Sequence, residues 1–217
     1  MGIPVFAVSE ALVRDIEQFS GYRFPYRIVP NAVNREIFHP VDVERGDHLL
    51  MAAFWKAPKN PFPVFHALSI LKEQGKIIRL RIAGFGPLWD QLRSQVQMLE
   101  LDDQVEFIGE LSGPELAMEL NRAAAFILPS EYETFSVVCA ESLCCGCPVL
   151  SEPIGALPEL VQGGNGLLRE EEETWSSLLQ RYLSHAPFDR QDIAKRAASR
   201  FDYKSVGELY YSALEQV

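Results

Sequence analysis

Ala125-Phe126-Ile127-Leu128-Pro129-Ser130-Glu131-Tyr132-Glu133-Thr134-Phe135-Ser136 runs on through Glu141 to Cys145-Gly146-Cys147-Pro148-Val149-Leu150-Ser151. The first four residues form an apolar run of strand length, and Pro129 ends it. A helix is expected over Phe135–Cys145, closed by Gly146, and Pro148–Ser151 then returns to the strand pattern. An apolar strand, a helix and a second apolar strand make a βαβ unit. Its strands are apolar at consecutive positions because helices cover a parallel sheet on both faces.

The same alternation extends in both directions. Upstream, strands are expected at His48–Phe54, Ile77–Ala83 and Gln104–Ile108. Helices are expected at Pro61–Gln74, Leu88–Leu99 and Ser112–Ala124. Gly75 ends the first of these helices, and Ser112 with Glu115 forms a capping box on the third. Downstream, Gly166–Arg169 reads as a further strand, followed by helices near Glu173–Ser184, Asp189–Ser199 and Lys204–Gln216. Before residue 40 the pattern is sparser. Val5–Val8 and Tyr26–Val29 read as short extended pieces around a helix over Glu10–Phe19, with Ser9 as its N-cap. The fold class is therefore α/β, a doubly wound, Rossmann-like parallel sheet. Ligands of such sheets bind beyond the carboxyl ends of the strands. The loops near 55–60, 84–87, 109–111, 129–136 and 152–156 should then share one crevice.

With 20 basic and 30 acidic residues, the net charge of the 217-residue chain is −10. That balance argues against nucleic acid or an anionic membrane as a bulk electrostatic partner. An anionic ligand has to be held by a few local donors. No apolar run approaches the ~20 residues of a membrane span. The opening MGIPVFAVSEALV lacks the basic n-region of a secretory leader, and Phe6 stands where a myristoylation signal wants Ser or Thr. Cys139, Cys144, Cys145 and Cys147 crowd one stretch, but no second CxxC and no nearby His completes a zinc set. They read as small buried residues whose free thiols fit a reducing cytoplasm. No metal is expected. Gly84-Phe85-Gly86 lacks the third glycine of a dinucleotide fingerprint, since Trp89 occupies that position. It reads as a tight strand-to-helix turn at the crevice. The acidic run Glu170–Glu173 reads as a solvated helix start.

Two glutamates carry the chemistry. Glu133 lies in the loop before the helix, and Glu141 lies on the helix eight residues later. At helical rise they stand roughly 12 Å apart. Between them is the helix N-terminus, whose free N–H groups and dipole attract phosphate. Carboxylate, helix end and carboxylate in line suit a sugar, a diphosphate and a ribose. The alternative reading of the geometry makes Glu133 an N-cap and Glu141 a surface residue.

In its surrounding pattern the chain resembles the C-terminal domain of the retaining GT-B glycosyltransferases of group one. Pro129, Ser130, Glu133, Phe135, Glu141, Gly146, Pro148 and Val149 match a motif of the form P-S-x-x-E-x-F-x, then E-A-x-x-x-G-x-P-V, with Ser142 for the usual Ala. Ile28-Val29-Pro30-Asn31-Ala32-Val33-Asn34, with Phe38 and Pro40, resembles the interdomain segment of the family. Lys59-Asn60-Pro61, Arg81-Ile82-Ala83-Gly84 and Val105-Glu106-Phe107-Ile108-Gly109 fit as well. So do Gly155, Glu159, Asn165-Gly166 and Phe201-Asp202-Tyr203.

The resemblance implies a GT-B C-terminal half at 41–217, preceded at 1–40 by a remnant of the N-terminal domain and a linker. It implies transfer of a sugar from a nucleoside-diphosphate sugar to an unspecified acceptor, with retention and without a metal or other cofactor. Glu133 would be the catalytic residue, lying near the donor sugar, and Glu141 would hold the ribose. Thr134, Phe135 and Ser136 would meet the phosphates, Lys59 would neutralise them, and Gly84 and the loop around Phe107 and Ile108 would meet the rest of the donor. The partners implied are the nucleotide sugar and an N-terminal acceptor-binding domain or partner chain, with room for an acceptor at a membrane periphery; the compartment implied is the cytoplasm. Ala53-Phe54 replaces the usual Gly-Arg of the family. Lys56 is the candidate substitute cation, as either a ligand group or a solvated surface residue, although a lysine lacks the arginine fork. His39, His48, His66 and His185 read as structural. The second functional reading is a non-catalytic nucleotide- or sugar-binding module of the same descent.

Overall fold

The computed structural model describes residues 5–215. The Met1-Gly2 start and the Gln216 end of the last expected helix lie outside the described residues. Two parallel sheets are present. The first pairs β1 (Val5–Ala7) with β2 (Tyr26–Ile28), joined by α1 (Glu10–Ser20). Ser9 caps α1 as expected, its hydroxyl accepting from the Leu12 N–H at 3.1 Å.

The second sheet has six strands: β3 (Leu49–Phe54), β4 (Leu80–Phe85), β5 (Val105–Gly109), β6 (Ala125–Leu128), β7 (Val149–Ser151) and β8 (Gly166–Leu168). Their spatial order is β5-β4-β3-β6-β7-β8, and each pair is parallel. Five helices make the crossovers: α2 (Phe62–Glu73), α3 (Trp89–Met98), α4 (Gly113–Arg122), α5 (Val137–Cys144) and the short α6 (Leu157–Leu160), which the periodicity does not reveal. α7 (Trp175–Ser184), α8 (Arg190–Phe201) and α9 (Tyr203–Glu215) follow.

Consecutive strand residues point to opposite faces. Leu49 and Met51 of β3, with Ala125 and Ile127 of β6, join the core under α2 and α7. Leu50, Ala52, Phe126 and Leu128 join the core under α5 and α8. All eight side chains are buried, which is why these strands are apolar throughout rather than alternating.

Three expectations shift. The strand expected at Ile77–Ala83 runs instead over Leu80–Phe85. Leu80 is its first paired residue because it matches Leu49 and Val105, while Ile77 is left 56% exposed in the loop before it. Gly84 therefore lies inside the strand, opposite Ala53, at φ +108°. α5 begins at Val137, two residues later than expected, because Ser136 adopts φ +73°. The acidic run does not start the helix: Thr174 caps α7, Glu170, Glu171 and Glu172 stay exposed as expected, and the half-buried Glu173 folds back onto Arg181 at 2.7 Å. The cysteines match their reading, being free and buried on α5 and just beyond it.

A Cβ added at Gly84 would stand 1.9 Å from the Ala53 carbonyl oxygen. Gly84→Ala is expected to cost about 3 kcal/mol or more, since both backbone conformation and contact must give. Urea denaturation measures it.

Candidate functional site

β3 and β6 lie side by side at the centre of the sheet, and the chain leaves them in opposite directions, towards α2 and α5. Such a switch point opens a crevice at the carboxyl ends of the strands. Two loops line it and are fastened together. The Glu131 N–H donates to the Pro58 carbonyl at 2.8 Å, and the Asn60 amide donates to the Glu131 carboxylate at 2.6 Å. Lys59 and Glu133 form an ion pair across the gap. The Ser130 hydroxyl donates to the same Glu133 oxygen at 2.9 Å. Glu133 is 8% exposed, so its charge is compensated by both partners at close range.

The backbone of this loop is held from behind. The Glu133 carbonyl accepts from the Ala156 N–H at 3.3 Å, and the Thr134 carbonyl accepts from the Ser9 hydroxyl at 2.7 Å. Gly155 permits the first contact, since a Cβ there would meet the Glu133 oxygen at 1.8 Å. Among the described residues, no acceptor meets the N–H groups of Thr134, Phe135 or Ser136. The Ser136 hydroxyl is buried with no partner there. These donors stand at the start of α5, where the first-turn N–H groups are also free of helical partners. Phe135 is buried and anchors the turn edge-on against Phe201 at 5.9 Å.

Beside the helix end lies a cavity of about 330 Å³, lined in part by Phe54, Lys59, Gly84, Glu110, Leu111 and Val138. Phe54 stacks edge-on with Phe85 at 5.0 Å and gives the cavity an aromatic wall. Glu141 is one helical turn beyond Val138, on the same face of α5. No side-chain bond or ion pair reaches its carboxylate among the described residues. Burial pushes its pKa up to about 7.

Lys59 and Gly84 line the cavity itself. Glu133 joins it through its ion pair with Lys59, and Thr134, Phe135, Ser136 and Glu141 lie along the adjoining loop and α5 without forming its wall. Lys56 is exposed at the turn after β3 and is not part of the cavity wall. Phe107 and Ile108 do not line the wall either. A bulge leaves Ile108 out of the ladder, since Ile82 pairs with Phe107 and Ala83 with Gly109. Phe107 packs edge-on against Trp89 at 5.2 Å, with the Arg93 guanidinium over its ring. Ile108 packs into the opposite core. Glu110 and Leu111, just after the strand, face the cavity instead. The strand-end rule reaches that loop but does not distinguish its residues.

The sequence profile described as "Glycosyl transferases group 1" matches residues 36–200. The chain belongs to that family. D-inositol 3-phosphate glycosyltransferase of Pseudarthrobacter chlorophenolicus is 31% identical over 160 residues, covering 70% of this chain and 38% of the relative. Alpha-monoglucosyldiacylglycerol synthase of Streptococcus pneumoniae is 29% identical, covering 94% and 51%. This group 1 chain therefore spans about half the length or less of these relatives. Sucrose-phosphate synthase from Thermosynechococcus elongatus superposes with a TM-score of 0.82 at 20% identity, over 99% of this chain and 59% of that one. Anabaena Alr3699/HepE in complex with UDP-glucose also gives 0.82, at 19% identity, over 98% and 64%. Both comparisons place this group 1 chain in the GT-B glycosyltransferase fold.

Two stability experiments follow from this geometry. Lys59→Met strands the buried Glu133 charge and is expected to cost about 2 kcal/mol, most of which Lys59→Met/Glu133→Gln restores. Glu141 works in the opposite sense. Its folded pKa lies above the ordinary 4.5, so ionising it opposes folding as the pH rises from about 4.5 to about 7. Glu141→Gln should match the parent at pH ~4 and exceed it by about 1–2 kcal/mol at pH ~8, after allowance for partial solvent screening. Urea denaturation at each pH gives the difference.

Proposed function

We propose that this chain is the donor-binding half of a retaining, metal-independent glycosyltransferase that takes its sugar from a nucleoside diphosphate. The observation that carries the proposal is the Lys59–Glu133 ion pair at a cavity on the switch point, beside a helix start whose N–H groups have no acceptor among the described residues and whose helix carries the unpartnered Glu141. The UDP-glucose complex of the Anabaena neighbour is consistent with such an occupant.

In this reading the diphosphate lies against the α5 N-terminus, with Lys59 shared between it and Glu133. Cleavage of the glycosidic bond leaves negative charge on the diphosphate. Oriented N–H groups and a nearby ammonium stabilise that charge without having to reorganise. Glu133, immobilised by Lys59 and Ser130, faces the transferred sugar. Glu141 accepts from ribose hydroxyls at the far end, and binding them there lowers its pKa from about 7 by favouring the ionised form. Lys56, on its exposed turn, is the reserve cation for the phosphates. The acceptor site belongs to an N-terminal domain or partner chain, with a membrane-peripheral acceptor allowed, in a cytoplasmic setting.

Phe54 favours a second reading, a binding module that has lost transfer. It places an apolar ring where the family has a guanidinium, so the leaving phosphate has one strong fixed cation fewer.

Calorimetric titration with UDP, GDP, ADP and their glucose conjugates tests the donor site. At least one should bind, and Glu141→Ala should weaken it about tenfold or more, ~1.4 kcal/mol. Absence of any binding, or an unaffected variant, would remove the proposal. Transfer assays in the presence of a relative's N-terminal domain separate the two readings: turnover supports the enzyme, and binding without turnover supports the module.

A further inference from the structure

A trans peptide unit is planar, with its C=O and N–H pointing in opposite directions. Fixing the carbonyl of one residue therefore aims the N–H of the next. Two consecutive peptide units of the site loop are fixed in this way. The Ala156 N–H holds the Glu133 carbonyl, and the Ser9 hydroxyl holds the Thr134 carbonyl. The second bond aims the Phe135 N–H, a donor with no acceptor among the described residues.

Ser9 belongs to the two-stranded-sheet segment, 125 residues away in sequence from the loop it holds. It is 1% exposed, and its hydroxyl has two tasks: it accepts from Leu12 N–H at 3.1 Å and donates to Thr134. Since a hydroxyl has one proton, accepting from Leu12 commits that proton to Thr134. Glu159 of α6 secures the arrangement. Its carboxylate accepts from the Ala11 N–H at 2.8 Å and the Glu10 N–H at 3.1 Å, so it holds the start of α1 against the domain that carries the site. The Glu159 carbonyl is held in turn by Arg200 at 2.7 Å.

We propose that Ser9 and Glu159 are positioning residues for donor binding: the start of α1 sets the Thr134–Phe135 peptide plane and so aims the Phe135 N–H at the diphosphate. The inference rests on the donor-site reading above. It makes donor affinity depend on where the first sheet segment sits, although that segment contributes no atom to the proposed contact.

The experiment combines calorimetry with amide NMR, using whichever of UDP, GDP and ADP binds the parent chain. Ser9→Ala and Glu159→Gln are expected to weaken that nucleoside diphosphate about five- to tenfold, as for a lost charge-directed hydrogen bond. Ser9→Thr, which keeps the hydroxyl, should restore parent affinity. In the parent, the Phe135 amide resonance should shift on titration with the diphosphate, and in Ser9→Ala that shift should shrink while the folded spectrum elsewhere is retained. Equal affinities for parent and Ser9→Ala, or an unchanged Phe135 response, overturn the inference and leave the donor site standing. A Ser9→Thr variant as weak as Ser9→Ala overturns it too. A parent that binds none of the three diphosphates overturns the donor reading, and this inference with it.

Discussion

The buried carboxylate of Glu133 organises the site. An ionised group this far from water has to be met by close partners, and here they come from two different loops: Lys59 after β3, and Ser130 after β6. Because β3 and β6 are neighbours whose chains leave in opposite directions, that requirement closes the floor of the crevice. The 131–58 backbone bond and the Asn60–Glu131 bond then follow along the same seam. The same ion pair keeps the Lys59 ammonium in the wall of the cavity.

A chain with a net charge of −10 repels anions at long range, so any anionic ligand would have to be held by short-range donors. The structure concentrates them at one helix end. The Glu133 and Thr134 carbonyls are tied back to Ala156 and Ser9, and the Thr134 and Phe135 N–H groups of the same peptide units have no acceptor among the described residues. Ser136, at φ +73°, delays the start of α5 and adds a buried hydroxyl to these donors. Glu141 complements them at the far end: an unpartnered carboxylate with a pKa near 7 is costly to keep charged, and ligand hydroxyls would relieve the cost.

Much of this was legible in the residues. Continuous apolar runs at Leu49–Phe54 and Ala125–Leu128 are what a sheet covered on both faces demands, and both strands lie within a residue of expectation. Ser9 and the Ser112–Glu115 box mark helix starts because capping is a contact over three residues. Periodicity starts β4 too early because Ile77 and Ile78 are as apolar as the strand that follows; its start is decided by pairing with Leu49 and Val105. The resemblance places Phe107 and Ile108 near the donor, but beyond the bulge at Ile108 it is Glu110 and Leu111 that line the cavity.

By itself, the sequence determined the layer architecture, the crevice end of the sheet, and the two glutamates flanking a helix start, because all three are written in periodicities and spacings of fewer than ten residues. Tertiary structure alone decided which groups meet. That Lys59 pairs with Glu133, that Glu159 holds α1, and that Ser9 reaches Thr134 across 125 residues depend on where distant backbones pass. Short-range propensity fixes the direction of a side chain relative to its own element. Only packing brings two elements close enough for a hydrogen bond, whose length tolerance is a few tenths of an ångström.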